Sequence, residues 1–198
     1  MKRILLFVLV ILCLVGGTAC SEKNLEISEE EALRVMTELV PLSHELNVIF
    51  FGEGLPVTEP PAERPTATTY LPVSADSPYS SIAAIKTAAE KVYSSRYLEG
   101  IYVAAFVGVI PESDDGSVNT LVSPRYQEFG SGLQADVSVA PKPNMLGKLT
   151  VQSVKVGRAT PTYIAVETTC LDEGGNTVVK TILLTIENGV WLLDSPTY

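Results

Sequence analysis

A single histidine and three cysteines give this 198-residue chain little material for metal or thiol chemistry. Cys13 and Cys20 both fall within the first twenty residues, so Cys170 stands alone in the body of the chain. One thiol excludes an internal disulfide, and one thiol with one imidazole excludes a Cys/His zinc site. Cys170 alternates with apolar neighbours and is expected as a small buried hydrophobe. His44 has no Ser, Cys or metal-ligand cluster beside it, so no catalytic role is assigned to it. No Gly-x-Ser-x-Gly turn surrounds any serine. Gly130-Ser131-Gly132 lacks the further glycine and the helix of a phosphate-binding loop. Positive charge is scarce as well, with 14 Lys and Arg against 23 Asp and Glu. A chain this acidic is repelled by nucleic acid and by anionic lipid, which disfavours both as electrostatic partners. Glu112-Ser113-Asp114-Asp115-Gly116 lacks the alternating acids of a calcium loop and reads as a solvated turn. No metal and no cofactor is expected.

What the chain does have is an apolar run at its start. Met1-Lys2-Arg3 is basic, Ile4 to Val15 is uninterrupted and apolar, and Gly16-Gly17-Thr18-Ala19-Cys20 follows. That order is a secretory signal peptide. The run falls short of the roughly 20 apolar residues that a membrane-crossing helix needs. A simple cleaved signal would leave a soluble product, with Cys20 a coincidence of position. The cysteine directly after Thr18-Ala19 instead resembles a bacterial lipobox, with Gly17 where leucine is usual. The resemblance implies removal of residues 1–19 and acylation of Cys20, a palmitate-type modification. Two acyl chains give stable attachment where one does not. The expected location is the cell membrane, on its extracytoplasmic face. Loss of Lys2 and Arg3 with the signal moves the net charge from −9 to −11. Residues 20–27 read as a tether, and residues 28–198 suit a single domain that needs no disulfide staple.

Ser28-Glu29-Glu30-Glu31 reads as a capping box opening a helix. Val35, Met36, Leu39, Leu42, Leu46 and Ile49 then mark one buried helical face, with a kink or break expected near Val40 because Pro41 follows. Glycine and proline punctuate residues 52–78, which read as a long surface loop. A second helix is expected with Ser77 as cap and Pro78 in its first turn. Its buried face would carry Ile82, Ile85, Ala89, Val92 and Tyr93, and it would end at Tyr97-Leu98-Glu99-Gly100. Ile101 to Ile110 reads as the first strand. Four further β runs follow, at Leu149 to Val156, Thr162 to Leu171, Val178 to Ile186 and Val190 to Leu193. Asp172-Glu173-Gly174-Gly175-Asn176 and the type I′ signal Asn188-Gly189 join them into an antiparallel meander. The expected class is therefore α+β, with N-terminal helices packed on a curved antiparallel sheet.

Two local patterns carry a family resemblance. Lys91-Val92-Tyr93-Ser94-Ser95-Arg96-Tyr97-Leu98 and Ile186-Glu187-Asn188-Gly189-Val190-Trp191-Leu192-Leu193-Asp194-Ser195 resemble a helix end and a closing hairpin. Both are features of the nuclear transport factor 2-like fold, or cystatin-like cone. More distantly the chain is similar to secreted inhibitors of cell-wall DL-endopeptidases. Enzymes of the cone fold use an Asp or Glu base with a Tyr or His partner, which would point here to Asp136 with Tyr126. Arg96, between Tyr93 and Tyr97, has the chemistry to hold a carboxylate, or to pair with Glu90 or Glu99. Ligand candidates are thus Arg96, Tyr126 and Asp136, with Cys20 for lipidation and Trp191 assigned to the core. The expected function is binding rather than catalysis: a membrane-anchored domain regulating an envelope protein, such as a cell-wall hydrolase. The alternative is a small ligand, or an Asp/Tyr reaction, inside a cone.

Overall fold

A computed structural model of the chain describes residues 23–108, 122–130 and 132–198. The signal sequence, Cys20 and the acidic turn at 112–116 lie outside the described residues. Helix α1 (Glu29–Phe51) is followed by strand β1 (Tyr70–Pro72), then helices α2 (Ile82–Ala89) and α3 (Ser95–Tyr102). After a π-helical turn at Val103–Val107 come β2 (Tyr126–Phe129), β3 (Gly132–Asp136) and a short 3-10 turn at Pro143–Met145. The chain closes with β4 (Thr150–Ala159), β5 (Ile164–Leu171), β6 (Thr177–Glu187) and β7 (Val190–Leu193). The architecture is α+β, with helices packed against antiparallel sheet. Among the described residues no helix is long and apolar enough to cross a membrane.

The last four strands form the meander β4-β5-β6-β7. Along β5, Ile164, Val166, Thr168 and Cys170 are buried at alternate positions, as a two-residue side-chain period requires. Ile182 and Leu184 of β6 continue that inner face. Asn188 at φ 52° and Gly189 at φ 80° provide the two left-handed residues of a type I′ turn, which matches strand twist. Helix α1 lies across this face and buries Val35, Met36, Leu39, Leu46 and Phe50. Ser28 Oγ accepts from Glu31 N at 3.1 Å, as a cap should. The Glu31 carboxylate does not return to the cap, however. It accepts from Trp191 Nε1 at 3.2 Å and ties the helix start to β7. Trp191 is accordingly half-buried, with its polar edge used in packing.

Several expectations are corrected. Pro41 neither kinks nor breaks α1, which runs through it as one 23-residue helix. Thr37 and Pro41 both lie on the exposed side, where the carbonyl freed by the missing N–H faces water. Leu42 shares that exposed side and is not core. The second helix is two helices. Ser81, not Ser77, caps α2 by accepting from Ala84 N at 3.1 Å, and Ser94 caps α3 by accepting from Tyr97 N at 3.1 Å. The linker between them runs parallel to β7, with Leu193 N donating to Val92 O and Ser94 N to Leu193 O. Tyr97-Leu98-Glu99-Gly100 lies inside α3, and Ile101–Val107 is helical rather than a strand. The loop at 52–78 contains β1, which pairs with β3 in a second sheet of order β1-β3-β2. Gly130, at φ 63°, turns the chain between β2 and β3.

Candidate functional site

Both termini of α1 are anchored, but its C-terminal end meets an unusual neighbour. Arg125 precedes β2, its backbone held between Ala104 O, to which its N–H donates, and Asp136 N, from which its carbonyl accepts. Its side chain runs inward and is 5 % exposed. The guanidinium donates from Nη2 to Gly52 O and lies 5.9 Å from the Tyr126 ring centroid. Nη1 is buried and has no hydrogen-bond partner among the described residues. The described ion pairs are Lys23–Glu26, Arg34–Glu38, Arg64–Glu53 and Arg96–Asp194, and none involves Arg125. A buried guanidinium is normally paired, because removing its charge from water costs several kcal/mol.

Arg125 stands in the wall of a cavity of about 230 Å³. Phe50 and Phe51 bring the end of α1 to it, Ala104 and Ala105 the π-helical turn, and Val139 and Ala140 the segment after β3. Lys142 is the second cation there. Its backbone N–H donates to Phe51 O at 2.8 Å, and its ammonium lies 5.8 Å from the Phe51 ring centroid. Among the described residues the wall holds no carboxylate. Apolar lining with a few placed polar groups is the usual make-up of a small-ligand pocket.

Close packing fixes the guanidinium from beneath. Gly54 sits at φ 83°, and a Cβ there would come 2.8 Å from Arg125 Nη2 and 3.0 Å from Tyr126 Oη. Gly54→Ala is expected to cost about 1–2 kcal/mol for the left-handed backbone alone. It would also push Arg125 aside. Chemical denaturation checks the first effect, and loss of any pocket ligand checks the second.

No protein-family model matches the chain, and no curated protein matches it. Function must therefore be read from the geometry.

The three ligand candidates do not form one site. Tyr126 is fully buried; its hydroxyl donates to Ile49 O at 2.9 Å and accepts from Leu55 N at 3.1 Å. Desolvation raises its pKa, so it stays a neutral bolt between β2 and the end of α1. Tyr126 pairs with Ala135, so Asp136, the next residue on β3, projects from the opposite face. Asp136 Oδ1 accepts from Thr69 N, Ser138 N and Ser138 Oγ at 3.0, 3.0 and 2.7 Å, a loop-closing role. The Asp/Tyr pair of a cone enzyme is thus not assembled.

Arg96 lies elsewhere, on α3. Its partner is Asp194 rather than Glu90 or Glu99. Asp194 is buried after β7, and it also accepts from Ser94 Oγ at 2.5 Å. Arg96→Ala would leave that buried carboxylate with a hydroxyl but no cation. The expected loss is about 2 kcal/mol, below that of a fully buried pair because the Arg96 side chain is 63 % exposed. Urea titration of the variant checks it. His44 is half-buried with Nδ1 unpartnered among the described residues, and Cys170 is buried, its thiol pKa raised by desolvation. Among the described residues no three His, Cys, Asp or Glu gather as a metal site.

Arg125 was visible in the sequence only as the neighbour of Tyr126. Its burial comes from Gly52 and Gly54, some seventy residues earlier, and no local signal marks it.

Proposed function

We propose that this chain is a lipid-anchored, extracytoplasmic binding domain that takes a small ligand and performs no chemistry on it. The observation that carries the reading is the buried Arg125 guanidinium, without a carboxylate among the described residues, in the wall of an otherwise apolar cavity. Sequence supports the location: the signal segment 1–19 is followed directly by Cys20, the residue a lipobox would acylate. The nuclear transport factor 2-like resemblance belongs to the same proposal, and helices preceding a closing antiparallel meander support it. The separation of Asp136 from Tyr126 leaves that fold's acid–base chemistry without its pair, which supports binding without catalysis.

A second reading, regulation of an envelope protein such as a cell-wall hydrolase, draws on one specific feature. Phe129 stands 75 % exposed at the end of β2, beside the hairpin turn. Isolating the acylated protein from its own membranes, and identifying whatever stays bound, separates the two. A small molecule at one per chain supports the first reading. A stoichiometric envelope protein lost on Phe129→Ser supports the second and overturns the first. Cys20→Ser tests the anchor in the same preparation: the variant should leave the membrane-bound lipoprotein pool, and retention of the acyl chains would contradict it.

A further inference from the structure

Resting on the small-ligand reading, we infer that the cavity beside Arg125 binds a carboxylate on a short apolar body, with the carboxylate on the guanidinium and the body against Phe50 and Phe51. Four observations lead there. The first is electrostatic. Arg125 and Lys142 are the charged groups of the described wall, and both are cations. A neutral ligand could accept a hydrogen bond from Nη1 but would leave the buried guanidinium charge uncompensated, and a cation would do neither. An anion would compensate it, and charge-assisted hydrogen bonds are about twice as strong as neutral ones.

The second is geometric. A guanidinium offers donors in a planar fork that matches a carboxylate, and Nη2 already rests on Gly52 O. The fork is therefore held in orientation before a ligand arrives. Gly54 beneath it allows the close approach of backbone that does the holding.

The third is size. With a water's share of liquid volume at about 30 Å³, a cavity of about 230 Å³ has room for roughly eight non-hydrogen atoms. That excludes a nucleotide, a peptide or a glycan strand as the enclosed group and suits a short-chain acid. The fourth is the chemistry of the remaining wall. Phe50 and Phe51 present rings, and Ala104, Val139 and Ala140 present methyl groups, so the body beyond the carboxylate is apolar. Phosphate and sulfate have no such body and would leave this surface in contact with water.

The test uses the full acylated chain in lipid nanodiscs, titrated with hexanoate and with hexanamide, its neutral counterpart of equal size. Calorimetry against empty nanodiscs removes partition into the bilayer. Hexanoate is expected to bind at least about tenfold more tightly than hexanamide. Arg125→Gln should remove that preference, and Arg125→Lys, which keeps the charge but loses the fork, should weaken hexanoate by about tenfold. Lys142→Gln, at the exposed rim, should weaken hexanoate by about two- to threefold and leave the fold intact. It supplies the answer if the Arg125 variants do not fold. Equal binding of both probes, or a hexanoate affinity indifferent to Lys142 and Arg125 alike, overturns the carboxylate assignment and leaves a neutral-ligand pocket. No binding of either probe overturns the small-ligand reading beneath it.

Discussion

Replacing Asn47 with alanine is expected to remove about 3 kcal/mol of stability. Asn47 faces the core from the last quarter of α1, where a helix would ordinarily place leucine, and is 1 % exposed. Its Oδ1 accepts from Tyr93 Oη at 3.1 Å, and its Nδ2 donates to Thr197 Oγ1 at 3.4 Å. Ser43, one turn earlier, shares a 2.7 Å hydrogen bond with Thr197 and donates to Val40 O. These four buried side chains join α1, the α2–α3 linker and the segment after β7. Without Asn47, the Tyr93 hydroxyl keeps only the Ser43 carbonyl at 3.5 Å. An unsatisfied buried hydroxyl costs about 1–3 kcal/mol, and the vacated volume adds a cavity term. The midpoint of urea unfolding should fall by the corresponding amount with its slope unchanged. A loss under about 1 kcal/mol would mean that the tail at Thr197 is not held by this network.

Alkaline pH should unfold the protein through the same cluster. Burial pushes the Tyr93 pKa up to about 12, with Ser43, Thr197 and Asn47 only partly opposing the rise. Tyr97 and Tyr102 are raised as well, again mainly by desolvation. A tyrosine whose folded pKa lies above its unfolded value holds its proton in the native state after the unfolded chain has released it. Stability is then complete below pH 10 and falls as pH climbs from 10 towards 12. Two units of difference correspond to about 2–3 kcal/mol from Tyr93 alone. Tyr93→Phe should reduce this dependence, leaving the part carried by Tyr97 and Tyr102, while lowering stability at neutral pH. Denaturant midpoints measured across pH 8 to 12 check both; a wild-type profile that is flat over this range would contradict a buried, proton-retaining Tyr93.

The parts of this fold that the sequence announces are those built from local repetition. Alternate burial along β5 and β6, the Asn188-Gly189 turn and the Ser28 cap all follow from spacing within a few residues. The failures are equally physical. Ile101 to Val107 is apolar and β-branched enough to read as a strand, yet it continues α3 because Leu98 and Ala105 bury against the shared core. The helix cap moved because Ser81 and Ser94 each stand just before a short amphipathic turn, a pattern that one longer helix imitates. Strands β2 and β3, of four and five residues, are too short to show a period, and β1 is ordered by partners distant in sequence: its pairing with β3 and the Thr58 N–H donating to Pro72 O.

The candidate site was less legible than the fold. Arg96, Tyr126 and Asp136 are polar groups in strand-like or aromatic settings, and each is tied in the fold: Tyr126 and Asp136 to backbone, Arg96 to the sequence-distant Asp194. What distinguishes Arg125 is the lack of such a partner among the described residues, and a lack of that kind exists only in three dimensions. Its pocket is assembled from the end of α1, the π-helical turn and the segment after β3, which sequence distance keeps apart. π-Helical turns recur at functional sites because the extra residue re-aims the wall around them.

The most direct test is a crystal structure of the full chain grown with hexanoate. A carboxylate seated within about 3 Å of the Arg125 guanidinium, its chain against Phe50 and Phe51, is the predicted result. A cavity without ligand under saturating hexanoate, or the acid bound away from Arg125, would contradict the account.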